Sequence, residues 1–124
     1  MIAVDASRAV PVCDVRELTP ELGVAVLVGD EQVAIFRLAD DRIFAVQNLC
    51  PFSGAYVISR GITGSRGEEP TIASPIFKQV FSLETGECLA TMDKLPVEGL
   101  SAHLVTYRVS VDNGQVILHL AGTA

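Results

Sequence analysis

The stretch "GVAVLVGDEQVAIFRLADDRIFAVQN", residues 23–48, decides the fold class. It holds three runs rich in β-branched and aromatic residues, Val24 to Val28, Gln32 to Leu38 and Arg42 to Gln47, split by Gly29-Asp30 and by Asp40-Asp41. Short β-rich runs joined by such links read as consecutive hairpins, so the segment forms a three-stranded meander. In the middle run Val33, Ile35 and Arg37 point one way, and Ala34, Phe36 and Leu38 the other. Both faces are largely apolar, which makes this strand a central one.

Working outward, "VSVDNGQVILHL" sets Asn113-Gly114 between two alternating runs, the strongest short-range hairpin signal in the chain. A further pair runs from Gln79 to Leu83, turns through Glu84-Thr85-Gly86-Glu87 and leaves through Cys88-Leu89. Seven or eight strands follow, and the fold is all-β. Helix is confined to one turn near Asp14 to Leu18, which Pro20 keeps from extending. The segment from Asn48 to Pro75 breaks the pattern: Gly54, Gly61, Gly64, Gly67 and Pro70 interrupt it, and its apolar residues make no long strand. Nearly thirty residues with little regular structure are uncommon in a small β domain, and fit a self-closed surface loop or a functional loop equally well.

With 124 residues the chain suits one domain, residues 1–124. Nine basic residues against fifteen acidic ones leave a net charge of −6, with no basic stripe, which argues against nucleic acid and anionic membrane surfaces as partners. No apolar run approaches the roughly 20 residues that cross a bilayer, and no basic segment opens the chain. A cytoplasmic protein without a signal peptide is expected. Cys13, Cys50 and Cys88 are an odd number, far apart and without a CxxC pair, which fits reduced thiols.

Two proline turns bracket the irregular segment, Cys50-Pro51-Phe52 and Ser74-Pro75-Ile76-Phe77. In their spacing the chain resembles the Rieske-type iron–sulfur fold, which carries Cys-x-His on a first loop and Cys-x-x-His on a second, two ligands of each type holding a 2Fe-2S cluster. The four slots fall on Cys50, Phe52, Ser74 and Phe77. A phenyl ring cannot coordinate iron and a serine is a poor substitute for a thiolate, so no normal cluster is expected, and Cys13 and Cys88 stand at spacings that do not repair the set.

The blocks "GDEQVAIFRL", "PFSGAYVISRG", "GEEPTIASPIFKQVFSLETGECL" and "VSVDNGQVILHL", within roughly residues 10 to 120, narrow the likeness. They resemble the small subunit of assimilatory NAD(P)H-dependent nitrite reductase, a Rieske-like domain lacking the cluster. That resemblance implies an antiparallel β-sandwich with an irregular, loop-rich cap at about residues 48–77. It also implies a large-subunit partner carrying FAD, an iron–sulfur cluster and sirohaem, which reduces nitrite to ammonium. No catalytic residue, cofactor or metal is then expected in this chain, whose part is structural or modulatory. One departure stands before Pro51, where the resembled family often has an acidic residue and this chain has Cys50. Two other functions remain open: a ferredoxin-like electron carrier with an atypical cluster using Cys50 and a partner's ligands, and an interaction module of another oxidoreductase.

Single residues refine these expectations. With no ligand partner or base nearby in sequence, Cys50 is expected to be a small, partly buried turn residue rather than a cluster ligand, a shared ligand or a reactive thiol. At least one ring of Phe52 and Phe77 is expected to turn inward, because an empty space of cluster size forfeits packing. A ring left outside forms an apolar docking patch; the docking candidates are Phe52, Tyr56, Arg60, Phe77 and Lys78. His103 and His119 share no metal spacing and are expected on the surface or a strand face. The glycines around Arg60 and Arg66 match no phosphate-binding pattern and suit a partner-contact loop better.

Overall fold

The computed structural model describes residues 7–121. Ten antiparallel strands follow one another: β1 (Ser7–Asp14), β2 (Gly23–Val28), β3 (Glu31–Arg37), β4 (Ile43–Gln47), β5 (Ile62–Arg66), β6 (Glu69–Ala73), β7 (Val80–Ser82), β8 (Cys88–Ala90), β9 (Thr106–Asp112) and β10 (Gln115–Ala121). One sheet runs β1-β10-β9-β4-β3-β2 and the other β5-β6-β7-β8. The all-β expectation holds, and the expected meander is β2-β3-β4, paired with Val26 opposite Val33 and Phe36 opposite Phe44.

Strand β3 is central for the reason its sequence suggests. Val33 and Ile35 enter one core with Leu18, Ala45 and the β10 row Val116, Leu118 and Leu120. Ala34 and Phe36, followed by Leu38, enter a second core with Val46, Cys50, Phe52, Ile58, Ile72, Phe81, Leu83 and Leu104. One strand therefore joins the body to the cap. Each large side chain buried in this way contributes about 1.5–3 kcal/mol. β4 and β9 meet through only two residue pairs, Ala45 with Tyr107 and Val46 with Thr106, and beyond them β10 packs its apolar row over the meander.

Three features differ from the sequence expectation, the first being a second 3-10 turn at Ile58–Arg60. β1 was not anticipated; it lies at a sheet edge with a register shift between Pro11 and Cys13, a place where a proline with no N–H to donate is tolerated. The segment expected to be irregular contains the β5–β6 hairpin, turned at Gly67 (φ 62°), and its sheet continues through β7 and β8 past residue 77. Gly64 and Pro70 hide these strands from propensity, but Pro70 is buried beside Thr71 and Ile72, and burial overrides the weak local preference.

The expected helical turn is a 3-10 turn at Val15–Glu17. Asp14 accepts from the Arg16 N–H at 2.8 Å while Glu17 accepts from the Asp14 N–H at 2.8 Å, a reciprocal cap. Arg37 then donates to the carbonyl of buried Leu18 at 3.2 Å. The β9–β10 turn has Asn113 at φ 54° and Gly114 at φ 80°, the left-handed pair a two-residue hairpin requires.

Candidate functional site

The two proline turns are built alike. In the first, the Cys50 N–H donates to the Ala55 carbonyl and the Gly54 N–H to the Cys50 carbonyl, both at 2.8 Å. In the second, the Ser74 N–H donates to the Gln79 carbonyl at 2.9 Å and the Lys78 N–H to the Ser74 carbonyl at 3.1 Å. The fifth residue is left-handed in each, Gly54 at φ 76° and Lys78 at φ 67°. Lys78 carries a Cβ in that conformation, so the shape is held at a local cost of about 1–3 kcal/mol. The first turn is anchored by buried Asn48, whose Nδ2 donates to Gln32 Oε1 and the Tyr56 carbonyl, each at 3.2 Å, while its Oδ1 accepts from the Ser59 N–H at 2.8 Å.

The first residues of the two turns meet. Cys50 Sγ lies 3.4 Å from Ser74 Oγ, and both side chains are fully buried, so Cys50 is more enclosed than expected. Burial pushes the Cys50 thiol up, but the Ser53 and Ser74 hydroxyls and the backbone N–H groups of Phe52 and Ser53 outweigh it and hold its pKa below the ordinary thiol value. Cys88 reaches the margin of the same core, which its sequence distance concealed. Burial raises its thiol, as do the nearby Cys50 and Glu87.

Phe52 and Phe77 part company. Phe52 turns inward onto Phe81, with ring centroids 6.1 Å apart and planes tilted by 50°. It is buried and offers no ring to a partner, which removes it from the docking candidates. Phe77 stays 37% exposed, with the Lys94 ammonium 4.6 Å from its ring centroid. Lys78 is exposed on the second turn, Tyr56 just after the first, and Arg60 at the end of a short 3-10 turn, Ile58–Arg60. His103 is exposed and accepts the Cys88 N–H on Nδ1 at 3.0 Å, and His119 Nε2 lies 2.7 Å from Ser110 Oγ, so both histidines bind strand groups.

A third segment, unremarked in the sequence, fastens the two turns. Thr91–Leu100 runs over them: Gln79 Nε2 donates to the Thr91 carbonyl at 3.3 Å, and the Val97 N–H donates to the Pro51 carbonyl at 2.7 Å. Gly86 anchors the chain on its return, where the Leu104 N–H donates to the Gly86 carbonyl at 2.8 Å. The only signal for this strap was negative: the stretch after Ala90 has no strand or helix periodicity.

Residues 8–119 match the Rieske-like [2Fe-2S] domain family. The small subunit of NADH nitrite reductase of Escherichia coli (strain K12) is 44% identical over 79 residues, 63% of this chain and 73% of that one. The chain belongs to that Rieske-like family, among its nitrite reductase small subunits. A structure assigned as the NADH-dependent nitrite reductase small subunit of Mycobacterium tuberculosis superposes with a TM-score of 0.82 at 37% identity, covering 96% of this chain and all of that one. The likeness also extends to a large subunit: part of the NAD(P)H nitrite reductase large subunit of Klebsiella oxytoca is 34% identical over 106 residues, 85% of this chain and 10% of that protein.

The cluster in the family's description does not fit these residues. Phe52 has no lone pair to give and its ring fills core space against Phe81. Ser74 is engaged with Cys50, and Phe77 lies beneath an ammonium. Among the described residues, no group of three or more His, Cys, Asp and Glu side chains is placed to hold a metal ion. The two loops are joined to each other and to the core by the Cys50–Ser74 contact, the Phe52–Phe81 ring contact and the hydrogen bonds of the strap. Among the same residues, no helix is long and apolar enough to cross a membrane.

Proposed function

We propose that this chain is the small subunit of a cytoplasmic NAD(P)H-dependent nitrite reductase that reduces nitrite to ammonium in nitrate assimilation. It holds no 2Fe-2S cluster and no other cofactor; FAD, an iron–sulfur cluster and sirohaem reside in its large-subunit partner. Its role is structural or modulatory, with the paired turns of the cap as the docking end and Tyr56, Arg60, Phe77 and Lys78 at its surface. The observation that carries this is the pair of turns kept in matching shape while their ligand positions hold Phe52, Ser74 and Phe77. A scaffold preserved without its ligand set favours recognition over electron transfer.

The Klebsiella large subunit supports the partnership, because a domain similar to this one is there joined to a large subunit in one polypeptide. The test is reconstitution: the chain and the large subunit of the same organism are co-expressed, and nitrite-dependent oxidation of NADH and NADPH is followed with and without the chain. Co-purification with a change in nitrite reduction supports the proposal. A large subunit that neither binds the chain nor responds to it overturns it.

A further inference from the structure

The strap carries more exposed apolar surface than a fastening needs. Leu95 is 87% exposed, the highest value among the exposed large hydrophobic side chains of the described residues, and Met92 and Val97 stand with it; Ile76 and Phe77 of the second turn add to the same end. These side chains share an end because the strap spans from Gln79 to Pro51 and sets Lys94 over Phe77. The remaining exposed apolar side chains, Leu22, Leu27, Ile62, Val105 and Val111 among them, are spread over other elements. A grouping of this kind, unlike single surface apolar residues, marks an interaction site.

The strap is also built to hold its shape. Met92 and Asp93 occupy consecutive left-handed conformations, φ 56° and 61°, in a turn closed by the Lys94 N–H donating to the Thr91 carbonyl at 3.2 Å. That conformation disfavours non-glycine residues and persists where the surroundings over-determine it. Pro96 restricts Leu95 to extended backbone, so the most exposed leucine loses little freedom on being covered.

We propose that the Thr91–Leu100 strap, with Leu95 at its tip, is the principal contact of this domain with the nitrite reductase large subunit; this rests on the small-subunit function proposed above. The large subunit is the occupant because of the Klebsiella relative, in which the similar domain makes up 10% of a large-subunit polypeptide. A tether of that kind supplies an effective concentration on the order of millimolar for flexible links, so a weak contact suffices. A separate chain has no tether, and its affinity comes from a few well-presented apolar anchors in its surface.

The experiment measures the affinity of the purified large subunit of the same organism for the full chain, its Leu95→Asp and Leu95→Ala variants, and Val111→Asp as an exposed control on β9. The high exposure of Leu95 leaves folding untouched, and far-UV circular dichroism with a thermal melt verifies this for each variant. The expected result is a Kd raised about tenfold by Leu95→Ala and more by Leu95→Asp, with Val111→Asp within about twofold of the unsubstituted chain. Binding that is insensitive to both Leu95 changes, or equally sensitive to Val111→Asp, overturns the strap as the contact and leaves the small-subunit function standing. Failure of the unsubstituted chain to bind overturns both.

Discussion

Replacing Phe52 by alanine tests whether packing holds the two turns together. Its ring is 5% exposed and lies in the second core against Phe81, beside Cys50, Ile58 and Ile72. Truncating a buried phenylalanine removes its transfer free energy and leaves a cavity, a cost of about 3–5 kcal/mol. In a domain of this size that lowers Tm by roughly 10–20 °C. Phe77 holds the matching position in the second turn but is 37% exposed, so Phe77→Ala loses partial burial and the Lys94 contact, about 1 kcal/mol in all. Urea unfolding followed by circular dichroism gives both values, provided the denaturant slope is unchanged. A Phe52→Ala loss below about 1 kcal/mol, or a Phe77→Ala loss as large as that of Phe52→Ala, refutes packing as what closes the loops.

Three further outcomes follow from the geometry. A Cβ at Gly86 would stand 2.0 Å from the Leu104 carbonyl oxygen with the backbone at φ +80°, so Gly86→Ala detaches the strap's return and lowers Tm by at least about 10 °C in a thermal melt, equivalent to a few kcal/mol. The Tyr107 phenol is pushed up to about 12 by burial and by Glu31, whose carboxylate it meets at 3.2 Å. Its contribution to stability is therefore full below the ordinary tyrosine value of about 10 and is lost as pH rises through 12. Ultraviolet titration of the folded chain should show a late phenolate step that Tyr107→Phe abolishes. Finally, Cys50 is fully buried, whereas Cys13 and Cys88 are partly exposed. Mass spectrometry after brief treatment of the native chain with a thiol reagent should find label on the latter two and on Cys50 only after unfolding, despite the lowered pKa of Cys50.

How far the structure could be read in advance depended on the range of the forces involved. The two-faced burial of β3 was legible because alternation of Val33, Ile35 against Ala34, Phe36 is local, and the β9–β10 turn because Asn113-Gly114 meets a local backbone demand. The β5–β6 hairpin was hidden because Gly64 and Pro70 lower strand propensity where tertiary burial restores it. At the candidate site, the spacing of Cys50, Phe52, Ser74 and Phe77 located the two turns correctly. Which ring turned inward was not encoded locally: Phe52 faces Phe81 and Phe77 meets Lys94, both partners supplied by other segments. The approach of Cys88 to the core, and its N–H bond to His103, are likewise consequences of sheet pairing and of the return of the strap.

The proposal that packing, not cluster ligation, joins the two loops is tested most directly by the iron and acid-labile sulfide content of the chain purified anaerobically, with its Tm measured before and after a strong iron chelator. The structure predicts a colourless, folded protein without bound iron or sulfide and with a Tm the chelator does not move. Iron and sulfide in stoichiometric amounts, lost with the fold on chelation, would contradict it and make Cys50 part of a working cluster site.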